Sequence, residues 1–93
     1  MIEIKITYIL QPEMKHKFME TVESLGIPQA TRNEKGCVKY DFEVSENKNE
    51  VYLFELWEDE ECLENHKKQP HLIKLLGLKE EFQIETVADI KNI

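Results

Sequence analysis

The sequence predicts an α+β fold of the ferredoxin-like kind, β-α-β-β-α-β, in which a four-stranded antiparallel sheet has its helices on one face. Three observations predict it. Stretches near both ends and in the middle alternate apolar and polar residues with the period of two that marks a strand with one buried face. Two stretches between them repeat apolar residues at helical spacing. A short polar loop joins the two middle strands as antiparallel neighbours.

Ile2, Ile4, Ile6 and Tyr8 alternate with Glu3, Lys5 and Thr7, which makes the first element a strand. Gln11-Pro12-Glu13 ends it, and Pro12 suits the first turn of a helix, where a missing N–H leaves no intrahelical bond unmade. Met14, Phe18, Val22 and Leu25 then recur at helical spacing until Gly26 stops the helix. Ile27-Pro28 restarts the chain, Gln29 to Asn33 forms a short helical turn, and Glu34-Lys35-Gly36 leads into the second strand. There Val38, Tyr40, Phe42 and Val44 share one face, with Cys37, Lys39, Asp41 and Glu43 on the other. Ser45 to Asn49 is the hairpin loop.

From Glu50 to Trp57 both faces are largely apolar, with Tyr52, Phe54 and Leu56 on one side and Val51, Leu53, Glu55 and Trp57 on the other. Such a strand belongs at the centre of a sheet, covered on both sides. Asp59 is the expected cap of the next helix, with Glu60 and Glu61 near the positive end of its dipole and Cys62, Leu63 and His66 turned inward together. Pro70 breaks that helix, and His71 opens another that Gly77 weakens or ends. Phe82 to Ile90 alternates again and forms the fourth strand. Right-handed crossovers place the first and third strands in the middle of the sheet. With helices on only one face, Leu53, Glu55 and Trp57 are expected on the other, serving a face-to-face homodimer.

Ninety-three residues make a single domain over 1–93, small enough that self-association would help its stability. Nineteen acidic against twelve basic side chains give a net charge of −7, which argues against nucleic acid and anionic membrane surfaces as partners. The N-terminal MIEIKITYIL lacks the unbroken apolar run of a signal peptide, and no stretch is long and apolar enough to span a bilayer, so a cytoplasmic protein is expected. Cys37 and Cys62 have no zinc-site spacing and read as small core thiols.

Two segments, GCVKYDFEV at Gly36 to Val44 and LFELWEDEECLENHKKQPH at Leu53 to His71, resemble the antibiotic biosynthesis monooxygenase domain, including the small bacterial quinol monooxygenases of the dimeric α+β barrel superfamily. The Gly-Cys start of strand two, the Glu-x-Trp-Glu exit from strand three and the helix bearing His66 before Pro70-His71 match in order and spacing. The resemblance implies a homodimer in which two sheets form a barrel, with a pocket between sheet and helices in each subunit. It also implies oxidation of a small quinol or polyphenolic aromatic by dioxygen without metal, flavin or haem. The haem-degrading branch of the superfamily fits poorly, because the positions of its helix tryptophan and its iron-ligating histidine fall here at His66 and Leu76, and IKITYIL has no asparagine.

His66 is the leading catalytic candidate, since an imidazole titrates near neutral pH and this one faces inward beside Cys62 and Leu63. Tyr8, Tyr40, Tyr52, Trp57 and His71 are the candidates for lining a substrate pocket. Plain packing accounts for the same residues: a core histidine bonded to a backbone carbonyl or to Glu55, tyrosines filling strand positions, and a tryptophan anchoring core or interface. Glu55 interrupts an apolar strand and needs a partner, for which Lys5, Lys39 and Arg32 are the candidates. Cys62, His66 and His71 could present metal ligands, but Pro70 intervenes and no nearby pair completes a tetrahedral set, so no metal is expected. Two other functions suit the same scaffold: isomerisation of a small signal molecule, and a non-catalytic ligand-binding or dimerisation module.

Overall fold

The period-two strands assemble in the order β2-β3-β1-β4, every neighbouring pair antiparallel, in a computed structural model that describes residues 1–93. The elements are β1 (Ile2–Ile9), α1 (Lys15–Ser24), α2 (Ile27–Arg32), β2 (Cys37–Val44), β3 (Glu50–Trp57), α3 (Glu60–His66), α4 (Pro70–Glu81) and β4 (Glu85–Asn92). The first and third strands are central, as right-handed crossovers require. Helices pack on one side over β2, β3 and β1. The core there comprises Tyr8, Phe18, Val22, Ile27, Tyr40, Leu53 and Leu75, with a smaller cluster of Ile2, Ile4, Trp57, Cys62 and Leu63 toward α3.

The structure corrects the side assigned to Leu53, Glu55 and Trp57. All three are buried beneath the helices within the single chain, paired across to Ile6, Ile4 and Ile2 of β1. The open face carries Tyr52, Phe54 and Leu56 instead, only partly buried, with Lys5 and Lys39 alongside. The physical reason is parity: a period of two says which residues share a face, but β3 is apolar on both faces, so nothing local says which one the helices take.

A bulge between Cys37 and Lys39 makes a second correction. The extra residue leaves Val38 half exposed, and Cys37 pairs with Trp57 on the helix side, not with Lys39 on the open side. Two helix boundaries also move. Pro12 and Glu13 form a turn, with Glu13 left-handed at φ 67°, and α1 starts only at Lys15. Gly77 lies inside α4, which runs on to Glu81; Phe82 caps it, Gln83 turns left-handed, and Ile84 N–H reaches back to the Lys79 carbonyl at 2.8 Å. That Schellman-type ending consumes the residues read as the start of the last strand. Ala88 and Ile90 face the helix side by register, yet they are exposed, because β4 is an edge strand that the helices do not cover.

Gly36 sets how the second strand meets α3. Its φ is 81°, its carbonyl accepts the Glu58 N–H at 2.9 Å, and a Cβ built on it would lie 2.6 Å from the Cys62 Cβ and closer still to its Sγ. Gly36→Ala therefore combines overpacking of about 1–3 kcal/mol with left-handed strain of roughly 1 kcal/mol. Urea unfolding should show a clear drop in midpoint, partly recovered when Cys62→Ala is added; an unchanged midpoint would refute the close packing.

Candidate functional site

Local sequence signals deliver three side chains to one point. Asp59 caps α3 by accepting the Cys62 N–H at 2.9 Å, a bond that also holds its carboxyl below the usual range. The helix so started turns Cys62, Leu63 and His66 inward, all buried. Pro70 then occupies the first position of α4, which sets His71 in the opening turn of that helix. Glu34 arrives from the turn between α2 and β2, where its N–H bonds the Thr31 carbonyl at 3.0 Å and its own carbonyl accepts from Cys37 at 3.2 Å.

One oxygen of Glu34 holds both imidazoles. Oε2 lies 2.6 Å from His66 Nδ1 and 2.7 Å from His71 Nε2. The three side chains are 12%, 4% and 14% exposed, so the contacts are little diluted by water. An ionised carboxylate only accepts, so each imidazole presents an N–H to it. His66 is thereby fixed as the tautomer with its proton on Nδ1, leaving Nε2 as the lone-pair nitrogen; the bond to Glu34 is the one the ring makes within the chain, and Nε2 is not fully buried. The ring lies 4.7 Å from the Trp57 ring and 5.9 Å from that of Tyr40, centroid to centroid.

A second buried carboxylate stands nearby. Glu55 Oε1 accepts from Trp57 Nε1–H at 2.9 Å, and burial raises its carboxyl above the usual range, opposed by the Trp57 bond and by His66, with Glu34 adding to the rise. None of the expected cations pairs with it. Lys5 stands 5.3 Å over the Tyr52 ring and Lys39 5.6 Å over that of Phe54, both on the open face. Arg32 donates to the Tyr40 carbonyl at 3.0 Å and pairs weakly with Asp41.

Of the residues singled out from sequence, His66, His71, Trp57 and Tyr40 gather at one place. Tyr8 is farther along the same core, against Phe18 and Phe42. Burial, followed by Glu55, pushes the hydroxyls of Tyr8 and Tyr40 above the ordinary phenol range. Tyr52 lies on the opposite side of the sheet and bonds Glu50 at 2.9 Å. The Cys37 thiol is pushed up to about 11, by burial first and then by Glu34 and Glu55, so it stays protonated at neutral pH. Glu34 is the participant the sequence pattern hides, since a glutamate beside a lysine before a turn glycine looks like any solvated loop residue. Neither acceptor expected for His66, a backbone carbonyl or Glu55, is its partner: Glu34 takes that place, and Glu55 bonds Trp57.

The two main clefts lie elsewhere. One, of about 450 Å³, opens on the uncovered sheet face between Lys5, Lys39, Phe54, Leu56 and Asp89. The other, of about 440 Å³, lies by Pro12, Met14 and Phe82. Neither is lined by His66 or His71; His66 is buried, while Glu34 and His71 keep 12% and 14% exposure.

Residues 1–75 match the family model described as antibiotic biosynthesis monooxygenase. The chain belongs to the antibiotic biosynthesis monooxygenase family. No curated protein matches it in sequence. Solved structures show the same fold over the whole chain. A Mycobacterium tuberculosis protein is similar at 19% identity and a TM-score of 0.85, covering 99% of this chain and 93% of its own. A conserved Methanosarcina mazei protein is similar at 27% identity and a TM-score of 0.84, covering 98% and 90%. A structure described as an antibiotic biosynthesis monooxygenase reaches a TM-score of 0.85 at 19% identity, covering 100% and 98%. No helix of this family member is long and apolar enough to cross a membrane.

The raised Glu55 carboxyl has a definite sign for stability. A group whose folded value exceeds its unfolded value of about 4.3 gives its full contribution below that value and loses it as pH rises through the folded value. Glu55→Gln keeps an acceptor for Trp57 Nε1–H and removes the titration. The melting temperature of the variant relative to wild type should be higher at pH 8 than at pH 4 by a few degrees. Equal differences at the two pH values would contradict a raised carboxyl.

Proposed function

We propose that this family member is a monooxygenase that oxidises a small quinol or polyphenolic aromatic with dioxygen, using His66 as the proton acceptor. The observation that supports this reading best is the buried Glu34–His66 pair, in which the carboxylate holds Nδ1–H and leaves Nε2 free as a base. An electron-rich dihydroxy aromatic that loses a proton to Nε2 becomes an anion able to reduce dioxygen directly. The protein's share of the work is to hold the ring, take the proton and keep water away. Trp57 and Tyr40 flank His66 as aromatic walls, Tyr8 extends them, and His71 shares the Glu34 oxygen. His66 is only 3% exposed, so a substrate reaches Nε2 by local side-chain movement that leaves the Glu34–His66 bond intact.

A homodimer belongs to the same proposal. The open sheet face, with Tyr52, Phe54 and Leu56 and the exposed Val87 of β4, leaves apolar surface that a second copy would cover. Sedimentation equilibrium at micromolar concentration should give a dimer for wild type and a monomer for Phe54→Asp. A wild-type monomer would refute the dimer.

A second reading is a non-catalytic ligand-binding or dimerisation module. That neither of the two main clefts is lined by His66, together with the hydrogen-bond partners found for every fully buried side-chain polar atom, favours it. Oxygen uptake with a panel of quinols decides between the two. The enzyme reading expects uptake that falls by about 10²–10⁴ in kcat for His66→Ala. Glu34→Gln should lose less, because Gln still accepts from Nδ1–H. No uptake with any quinol would leave the module, and uptake unaffected by His66→Ala would move the base elsewhere.

A further inference from the structure

We propose that Glu34, His66 and His71 form a binding site for one divalent transition-metal ion, with Zn²⁺ the ion its donors suit best. The inference goes beyond the oxidation proposed above, and its binding part does not rest on it. Glu34 Oε2, His66 Nδ1 and His71 Nε2 all lie within 4.8 Å of one another. Two imidazole nitrogens and one carboxylate oxygen, with a further position left for water, are a set that borderline transition metals favour over Ca²⁺ or Mg²⁺. The side chains are at most 14% exposed, so an ion held there would be largely shielded from competing water.

The geometry is close to what an ion needs. Metal bonds of about 2.0–2.1 Å in a tetrahedral zinc site place neighbouring donors roughly 3.3–3.4 Å apart. The two oxygen–nitrogen separations are 2.6 and 2.7 Å, so the oxygen must withdraw from each nitrogen by about 0.6–0.8 Å to admit a tetrahedral ion. His71, in the opening turn of α4 and the most exposed of the three, is placed to make that adjustment. The donors come from three separate segments, with Glu34 32 residues from His66 and 37 from His71, so the site exists only in the folded chain.

Binding carries a proton consequence. Coordination takes the lone pair of His66 Nδ1, so the proton on Nδ1 moves to Nε2 through solvent; likewise the His71 proton moves from Nε2 to Nδ1. No net proton is released from the neutral pair. His66 Nε2 changes from acceptor to donor, and an occupied site is therefore incompatible with His66 acting as a base there.

The test uses full-length protein stripped with a chelator. Calorimetric titration with ZnCl₂ should give one ion per chain, and Co²⁺ should produce the visible absorption of a low-symmetry nitrogen and oxygen site. His71→Ala and Glu34→Gln, each checked for folding by circular dichroism, should weaken Zn²⁺ binding at least tenfold. Replacement of the exposed third histidine, His16→Ala, should leave it unchanged. Zn²⁺ should raise the melting temperature of wild type but not of His71→Ala. No uptake, or uptake unaffected by His71→Ala, would overturn the site. Where a quinol is oxidised, Zn²⁺ should suppress oxygen uptake and a chelator restore it. If no quinol is oxidised, the calorimetry still decides the metal site by itself.

Discussion

The bond set that the rest of this molecule depends on is the single Glu34 oxygen that receives N–H groups from two imidazoles. Withdrawing a carboxylate from water costs several kcal/mol unless its lone pairs are satisfied, and here two well-placed donors satisfy one oxygen. Because the donors lie at the end of α3 and the start of α4, the same contact ties the turn before β2 to both helices. The Asp59 cap, the Pro70 break and the left-handed Gly36 bring these pieces to that point from three directions.

Two buried carboxylates beside one imidazole would be a destabilising combination if their surroundings were alike. They are not. Glu34 is matched to imidazole N–H groups, whereas Glu55 has a lone indole N–H, and burial lifts its carboxyl toward the neutral form. The His66 ring bonds Glu34 and lies tilted against that of Trp57, centroids 4.7 Å apart.

The two faces of the sheet have opposite characters. The covered face is a closed apolar core, while the open face sets Lys5 and Lys39 over the rings of Tyr52 and Phe54. In a chain with a net charge of −7, these lysines lie among acidic neighbours on the open face, Asp41 and Glu43 of β2 and Asp89 of β4. Long lysine stems lying on aromatic rings cover part of the apolar area without closing it.

The order of the elements, the central placement of β1 and β3, the Asp59 cap, the inward turn of His66 and the family were all legible along the chain. All of these follow from periodicity, capping chemistry and motif spacing, which are local properties of the chain. Only the tertiary structure decided which face of β3 the helices cover, because a strand apolar on both sides fixes parity and not direction. It likewise decided the turn of Cys37 toward Trp57, since a one-residue bulge has no signature in an alternating pattern. The partnership of Glu34 with His66 and His71 belongs to the same class. A hydrogen bond across 32 residues is set by where helices and turns pack, and no spacing along the chain encodes it.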